Sequence, residues 1–185
     1  MGIDHELIAK QTMKWVSDIV VKYNICPFAK KELERKTIHC QVLTGCDLAL
    51  LLEQVNVELI RLDQAADIAT TLIVMPELSH SFDAFLDLID YANDLLELQE
   101  YQGIYQLAHM HPLYCFADIN AQDAANFTNR SPYPILHIIR EDDISRALKL
   151  FPFPETIPAR NIALLRDKGV AEIKIELAAC FDVDK

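Results

Sequence analysis

Glycine is scarce in this chain, with 4 in 185 residues, and those few form neither a Gly-rich phosphate loop nor a G-x-S-x-G turn. The commonest nucleotide cradle and the serine-hydrolase elbow are therefore excluded. Gly/Ser linkers, low-complexity tracts and internal repeats are also missing, so the sequence reads as one globular domain over 1–185. The 5 cysteines, Cys26, Cys40, Cys46, Cys115 and Cys180, are odd in number and never spaced C-x-x-C. That pattern suits neither a disulfide framework nor an all-cysteine zinc site, and reduced thiols are expected. No run approaches the roughly 20 apolar residues of a membrane helix. The opening "MGIDHELIAKQTMKW" is not laid out as the basic-then-apolar segment of a secretion signal. A cytoplasmic protein with no membrane partner is expected. Basic residues are the minority, 17 against 28 Asp and Glu, and the formal charge of −11 repels phosphate backbones. Nucleic acid is therefore not an expected partner.

Of the residues present, 51% are hydrophobic, and their spacing predicts the elements. Ile8, Trp15, Ile19 and Tyr23 recur at helical spacing over 4–23, whereas "TIHCQVL" at 37–43 alternates as a half-buried strand does. Leu48, Leu51, Leu52, Val55, Leu59 and Leu62 make one apolar helical stripe. "ATTLIVMP" at 69–76 is an unbroken apolar run, the mark of a central strand covered on both faces. Ser79 or Ser81 caps a second long helix that runs to Gly103, and strands are expected at 104–110 and 134–139 with a long loop between them. Thr156 and Pro158 open a helix ending at Gly169, and the tail "VAEIKIELAACF" fits strand and helix equally. The expected fold class is an α/β or α+β sandwich with a mixed sheet of about four core strands packed by helices.

Ligand sites in such sheets gather beyond strand ends, where loops converge. His109 and His111, two apart on a strand, share one face, and His137 is a candidate third ligand for a metal. Arg130, between Asn129 and Ser131 and stiffened by Pro132 and Pro134, presents a fork suited to a carboxylate or phosphate. Alternatively it ties its own loop to carbonyls or to Asp118. Arg140 lies near the histidines if the last strand is parallel to the third, and at the far edge if it is antiparallel; Arg130 then takes its place. Cys26, before Pro27 in "NICPFAK", sits where the N-cap of a short helix, with Lys30 and Lys31 nearby, lowers a thiol pKa. Its plainer role is to fill the joint between two helices.

Four blocks, "NICPFAK", "HPLYCFAD", "NRSPYPILHIIRE" and "IPARN", together resemble the bacterial family catalogued as DUF1415, a domain of unknown function. The resemblance implies no activity. Its characteristic positions fall on Cys26, Pro27, His111, Pro112, Tyr114, Asn129, Arg130, Ser131, Pro132, His137, Arg140 and Glu141. The family's block is a lone His-Pro, which makes His109 an extra and weakens the metal alternative.

These observations lead to the expectation of an enzyme acting on a small anionic metabolite, with Arg130 or Arg140 holding the anion and His111 as general acid or base. Asn129, Ser131 and Tyr114 orient the ligand or the imidazole, and His137 and Cys26 complete the candidates. The alternatives are a metal-dependent enzyme using His109, His111 and His137, and a non-catalytic binding or scaffold protein marked by an exposed apolar patch around Tyr133, Phe127 and Phe116. A homodimer is the commonest assembly for such domains.

Overall fold

The structure is a computed structural model describing residues 3–45, 47–150 and 153–183; Cys46 lies outside the described residues. Four strands, β1 (Ile38–Val42), β2 (Thr70–Val74), β3 (Tyr105–Met110) and β4 (Ile135–Arg140), form one mixed sheet in the order β1-β2-β4-β3. β1 and β2 are parallel, and β4 is antiparallel to both of its neighbours. The antiparallel alternative for the last strand is therefore the one found. Helices cover both faces, as the apolar run at Leu72, Ile73 and Val74 requires.

On one face lie α3 (Leu48–Gln64) and α4 (Phe82–Leu98). The predicted stripe of α3 places Leu51, Val55, Leu59 and Leu62 at full burial against Ile73, Leu136, Ile138 and Tyr105. Each such side chain contributes roughly 1.5–3 kcal/mol by leaving water. Caps fix the starts of these helices: the Asp47 carboxylate accepts from Leu50 N–H at 2.9 Å, and Ser81 Oγ, not Ser79, accepts from Ala84 N–H at 3.2 Å. α4 stops at Leu98, short of Gly103, which sits at φ +77° in the turn leading into β3.

On the other face, α1 (His5–Trp15), continued to Val21 with wider π-type turns, packs with α6 (Ile157–Lys168) and α7 (Val170–Ala179) on Val42, Leu72, Val74 and Ile135. The ambiguous tail is thus helical, with Ile173 and Cys180 buried. Two further α-helices are α2 (Ala29–Arg35) and α5 (Glu141–Leu150), which starts directly from β4, and short 3-10 turns lie at Pro76–Leu78, Ala124–Thr128 and Pro154–Thr156. Three acidic residues in its first turn, Glu141, Asp142 and Asp143, suit the positive end of the helix dipole. Among the described residues no helix is long and apolar enough to cross a membrane.

Candidate functional site

The antiparallel register brings the "NRSPYP" loop beside the end of β3 and carries Arg140 to the opposite end, opposite Tyr105. His111 N–H donates to the Asn129 carbonyl at 3.2 Å, so the two predicted blocks meet directly. The side chain of His111, however, is 0% exposed. Its Nε2–H donates to the Leu78 carbonyl at 3.1 Å, and its Nδ1 accepts from Leu113 N–H at 3.0 Å. Those two bonds fix the neutral tautomer, and Phe82 and Phe85 stack on the ring. Burial lowers its pKa below the ordinary range. His111 therefore staples the segment before α4 to the loop after β3.

Both predicted arginines also face inward. Arg130 Nε donates to the Tyr114 carbonyl at 3.0 Å and Nη2 to the Ala121 carbonyl at 2.8 Å, with the guanidinium 4.7 Å from the centre of the Phe127 ring. Asp118 is not its partner; backbone carbonyls are. Arg140 donates through Nη2 to the carbonyls of Leu62, Ala65 and Ile68, and through Nη1 to the Tyr105 hydroxyl. It thereby closes the C-terminal end of α3, where free carbonyls attract a cation. Ser131 is 0% exposed and its hydroxyl donates to the Tyr133 carbonyl at 2.5 Å, while the Arg130 carbonyl accepts from Trp15 Nε1–H at 3.2 Å. Loop, α1 and sheet are locked together by these bonds.

The predicted histidine triad does not converge. Ala108 is the cross-strand partner of His137, so His109, the next residue, lies on the opposite face from His137. His137 Nε2–H donates at 2.6 Å to Thr70 Oγ1, whose proton goes to the Ile138 carbonyl at 2.6 Å. Burial pushes its pKa down to about 4. Among the described residues no three His, Cys, Asp or Glu side chains gather as a metal site requires.

His109 is different. Half-buried among Phe82, Phe85 and Tyr114, it has no hydrogen-bond partner among the described residues. Burial lowers its pKa, against a weaker upward pull from Asp90, so the ring is neutral near pH 7. The Tyr114 ring lies 5.7 Å from it, and burial raises the Tyr114 pKa against a smaller downward pull from the Asn129 side chain.

Ala29 N–H donates to the Cys26 carbonyl at 3.2 Å, and burial of the thiol outweighs the pull of the nearby N–H groups, so its pKa is raised, not lowered. Phe28, not Cys26, is the N-cap of α2. The "IPARN" block closes this corner, since Asn161 Nδ2 donates to the Ile25 carbonyl at 2.8 Å and Arg160 to the Asn24 carbonyl. Of the scaffold patch, Phe127 is buried, Tyr133 packs on Phe181, and Phe116 stands edge-on to Tyr114.

Sequence reasoning missed one buried polar cluster. The Glu58 carboxylate of α3, 0% exposed, accepts from Gln54 and Arg61 at 2.9 and 3.0 Å and lies 3.6 Å from His39 Nε2. His39 faces Thr71 across β1 and β2, and neither His39 Nε2 nor Thr71 Oγ1 has a hydrogen-bond partner among the described residues. The available signal was the alternation at 37–43, which reads as a strand with only one face buried, whereas α3 covers the face that carries His39 as well.

An α+β fold with a mixed sheet between helices, and four sequence blocks that bond to one another in pairs, define the class of this protein. The sequence model of the family described as "Protein of unknown function (DUF1415)" matches residues 7–175, and the chain belongs to that family. No curated protein and no solved structure matches it.

Proposed function

We propose that the protein binds a small metabolite at the rim of the sheet and acts on it by acid–base chemistry through His109, which takes the part the sequence assigns to His111. The observation that carries this is the half-buried His109 ring, whose nitrogens have no hydrogen-bond partner among the described residues and which lies 5.7 Å from the Tyr114 ring. A neutral imidazole there is a general base within an apolar wall, and the Tyr114 hydroxyl is a donor for the same ligand. Of Arg130, Nη1 remains for an anionic group, because Nε and Nη2 go to carbonyls. A cytoplasmic location accords with the charge and the cysteine pattern.

A thermal-shift screen of carboxylate and phosphate metabolites tests this. Ligand at about 100 times its Kd adds about 2.7 kcal/mol, which raises Tm by roughly 5–10 °C in a chain of this size. We expect such a shift in the native protein, and its loss in His109→Gln with the unliganded Tm retained. Equal shifts in His109→Gln, or none for any ligand, would overturn the proposal. The second reading, a non-catalytic binding protein, draws on the fact that His111, Ser131 and both arginines are engaged internally.

A further inference from the structure

The charge of this chain is not evenly spread. Residues 62–129 hold 11 of the 28 acidic residues and not one Lys or Arg, leaving 17 of each sign elsewhere. The whole net charge of −11 therefore belongs to this segment, which contains β2, α4 and β3. Within α4, Asp83, Asp87, Asp90, Asp94 and Glu97 are all exposed and recur at helical spacing, a single carboxylate row along the helix. Like charges so spaced weaken a helix, so packing alone does not call for the row.

The C-terminal part of the row, Asp90, Asp94 and Glu97, lies beside an open strand edge. Glu141 N–H bonds the Ile104 carbonyl at 2.9 Å, and with the register this directs the backbone groups of Gln106, Ala108 and Met110 toward β4. Tyr105, Leu107 and His109 then face outward. Tyr105 N–H is taken by the Tyr101 carbonyl at 3.1 Å and His111 N–H by the Asn129 carbonyl at 3.2 Å, so both ends of the edge are closed. Between them, the N–H groups of Leu107 and His109 and the carbonyls of Tyr105, Leu107 and His109 have no partner among the described residues. Alongside lies a groove of about 330 Å³ whose lining includes Asp94, Glu97, Gln106, Leu107 and Glu141. Asp90 is close enough to act on the His109 imidazole, so Asp90, Asp94 and Glu97 of the row lie near the edge. The strand "YQLAHM" has no Lys, Pro or other device with which proteins blunt such edges.

We propose that the open edge of β3 takes up an extended, lysine- or arginine-bearing segment of another protein as a fifth strand, its cationic side chains reaching the carboxylate row of α4. Backbone bonds to Leu107 and His109 supply the register, and every second side chain of the incoming strand lies on the α4 side. A second copy of this chain is the wrong occupant, because it would bring two carboxylate rows together. The edge uses the backbone of His109, not its ring, and stands apart from the acid–base proposal.

Fluorescence anisotropy with a synthetic peptide alternating Lys and Thr, on the full chain, tests this. Three companions are a Glu-for-Lys peptide, a Lys peptide N-methylated at alternate amides, and the exposed-surface variant Asp94→Asn/Glu97→Gln. We expect binding of the Lys peptide, weakening of about tenfold in the variant, loss with N-methylation or Glu, and slowed amide exchange at Leu107 and His109. If the N-methylated peptide binds as well as its parent, charge alone is at work and strand addition is overturned. Absence of binding, or of protection at those two amides, overturns it equally and leaves the row as a device that keeps copies apart.

Discussion

The imidazole of His109 stands 5.7 Å from the ring of Tyr114, while His111, on the same face of the strand, is closed at both nitrogens by Leu78 and Leu113. Two histidines in one H-x-H motif thus differ: one secures a loop, the other has no hydrogen-bond partner among the described residues.

Replacing the sealed ring should unfold, not inactivate. His111→Ala leaves the Leu78 carbonyl and the Leu113 N–H without partners and opens a void between Phe82 and Phe85. We expect a loss of about 3 kcal/mol in urea denaturation, against less than about 0.5 kcal/mol for His109→Gln.

Arg140→Met should behave similarly. Removing the guanidinium takes a donor from the carbonyls of Leu62 and Ile68 at the end of α3, while the Ala65 carbonyl keeps the Ile68 N–H. Loss of a charged donor there costs about 2–3 kcal/mol, whereas Arg146→Met, at an exposed pair with Asp143, shifts stability by less than about 0.5 kcal/mol.

Acid should destabilise through His137. Its folded pKa is pushed down to about 4 from 6.5, so the unfolded chain takes up the proton first as pH falls. The stability is fully present above about 6.5 and is lost progressively down to about 4. Near pH 5 this amounts to about 2 kcal/mol, measurable as the difference between urea curves at pH 7 and 5. His137→Asn should remove that part of the slope.

Cysteine alkylation should be slow in the folded protein. Burial raises the Cys26 thiol and pushes Cys40 up to about 12, which leaves little thiolate at neutral pH. Residue-resolved mass spectrometry after iodoacetamide should show both modified faster in urea than in buffer; rapid native modification of Cys26 would restore the reactive-cysteine expectation.

The fold was legible wherever periodicity was strong. The α3 stripe pointed to one buried face because a 3.6-residue repeat reports which face leaves water, and the unbroken run at Leu72–Val74 pointed to a strand covered on both. α5 escaped notice because its first turn, Glu141 to Asp143, reads as a polar strand end, and no described side chain of that helix is fully buried. In the site, the residue types were visible but their partners were not. Arg130 and Arg140 bond to carbonyls, and a carbonyl has no signature in sequence. His109 and His111 have the same spacing and chemistry, and only the approach of Leu78 tells them apart.

Side-chain ¹⁵N spectra of the histidines test the division between these two rings most directly. His111 should show a single neutral tautomer protonated at Nε2, fixed by its donors and acceptors, and unchanged when a ligand from the screen is added. His109 should show averaged tautomers that shift on ligand addition. A fixed tautomer at His109 with an averaged, ligand-responsive ring at His111 would contradict the account.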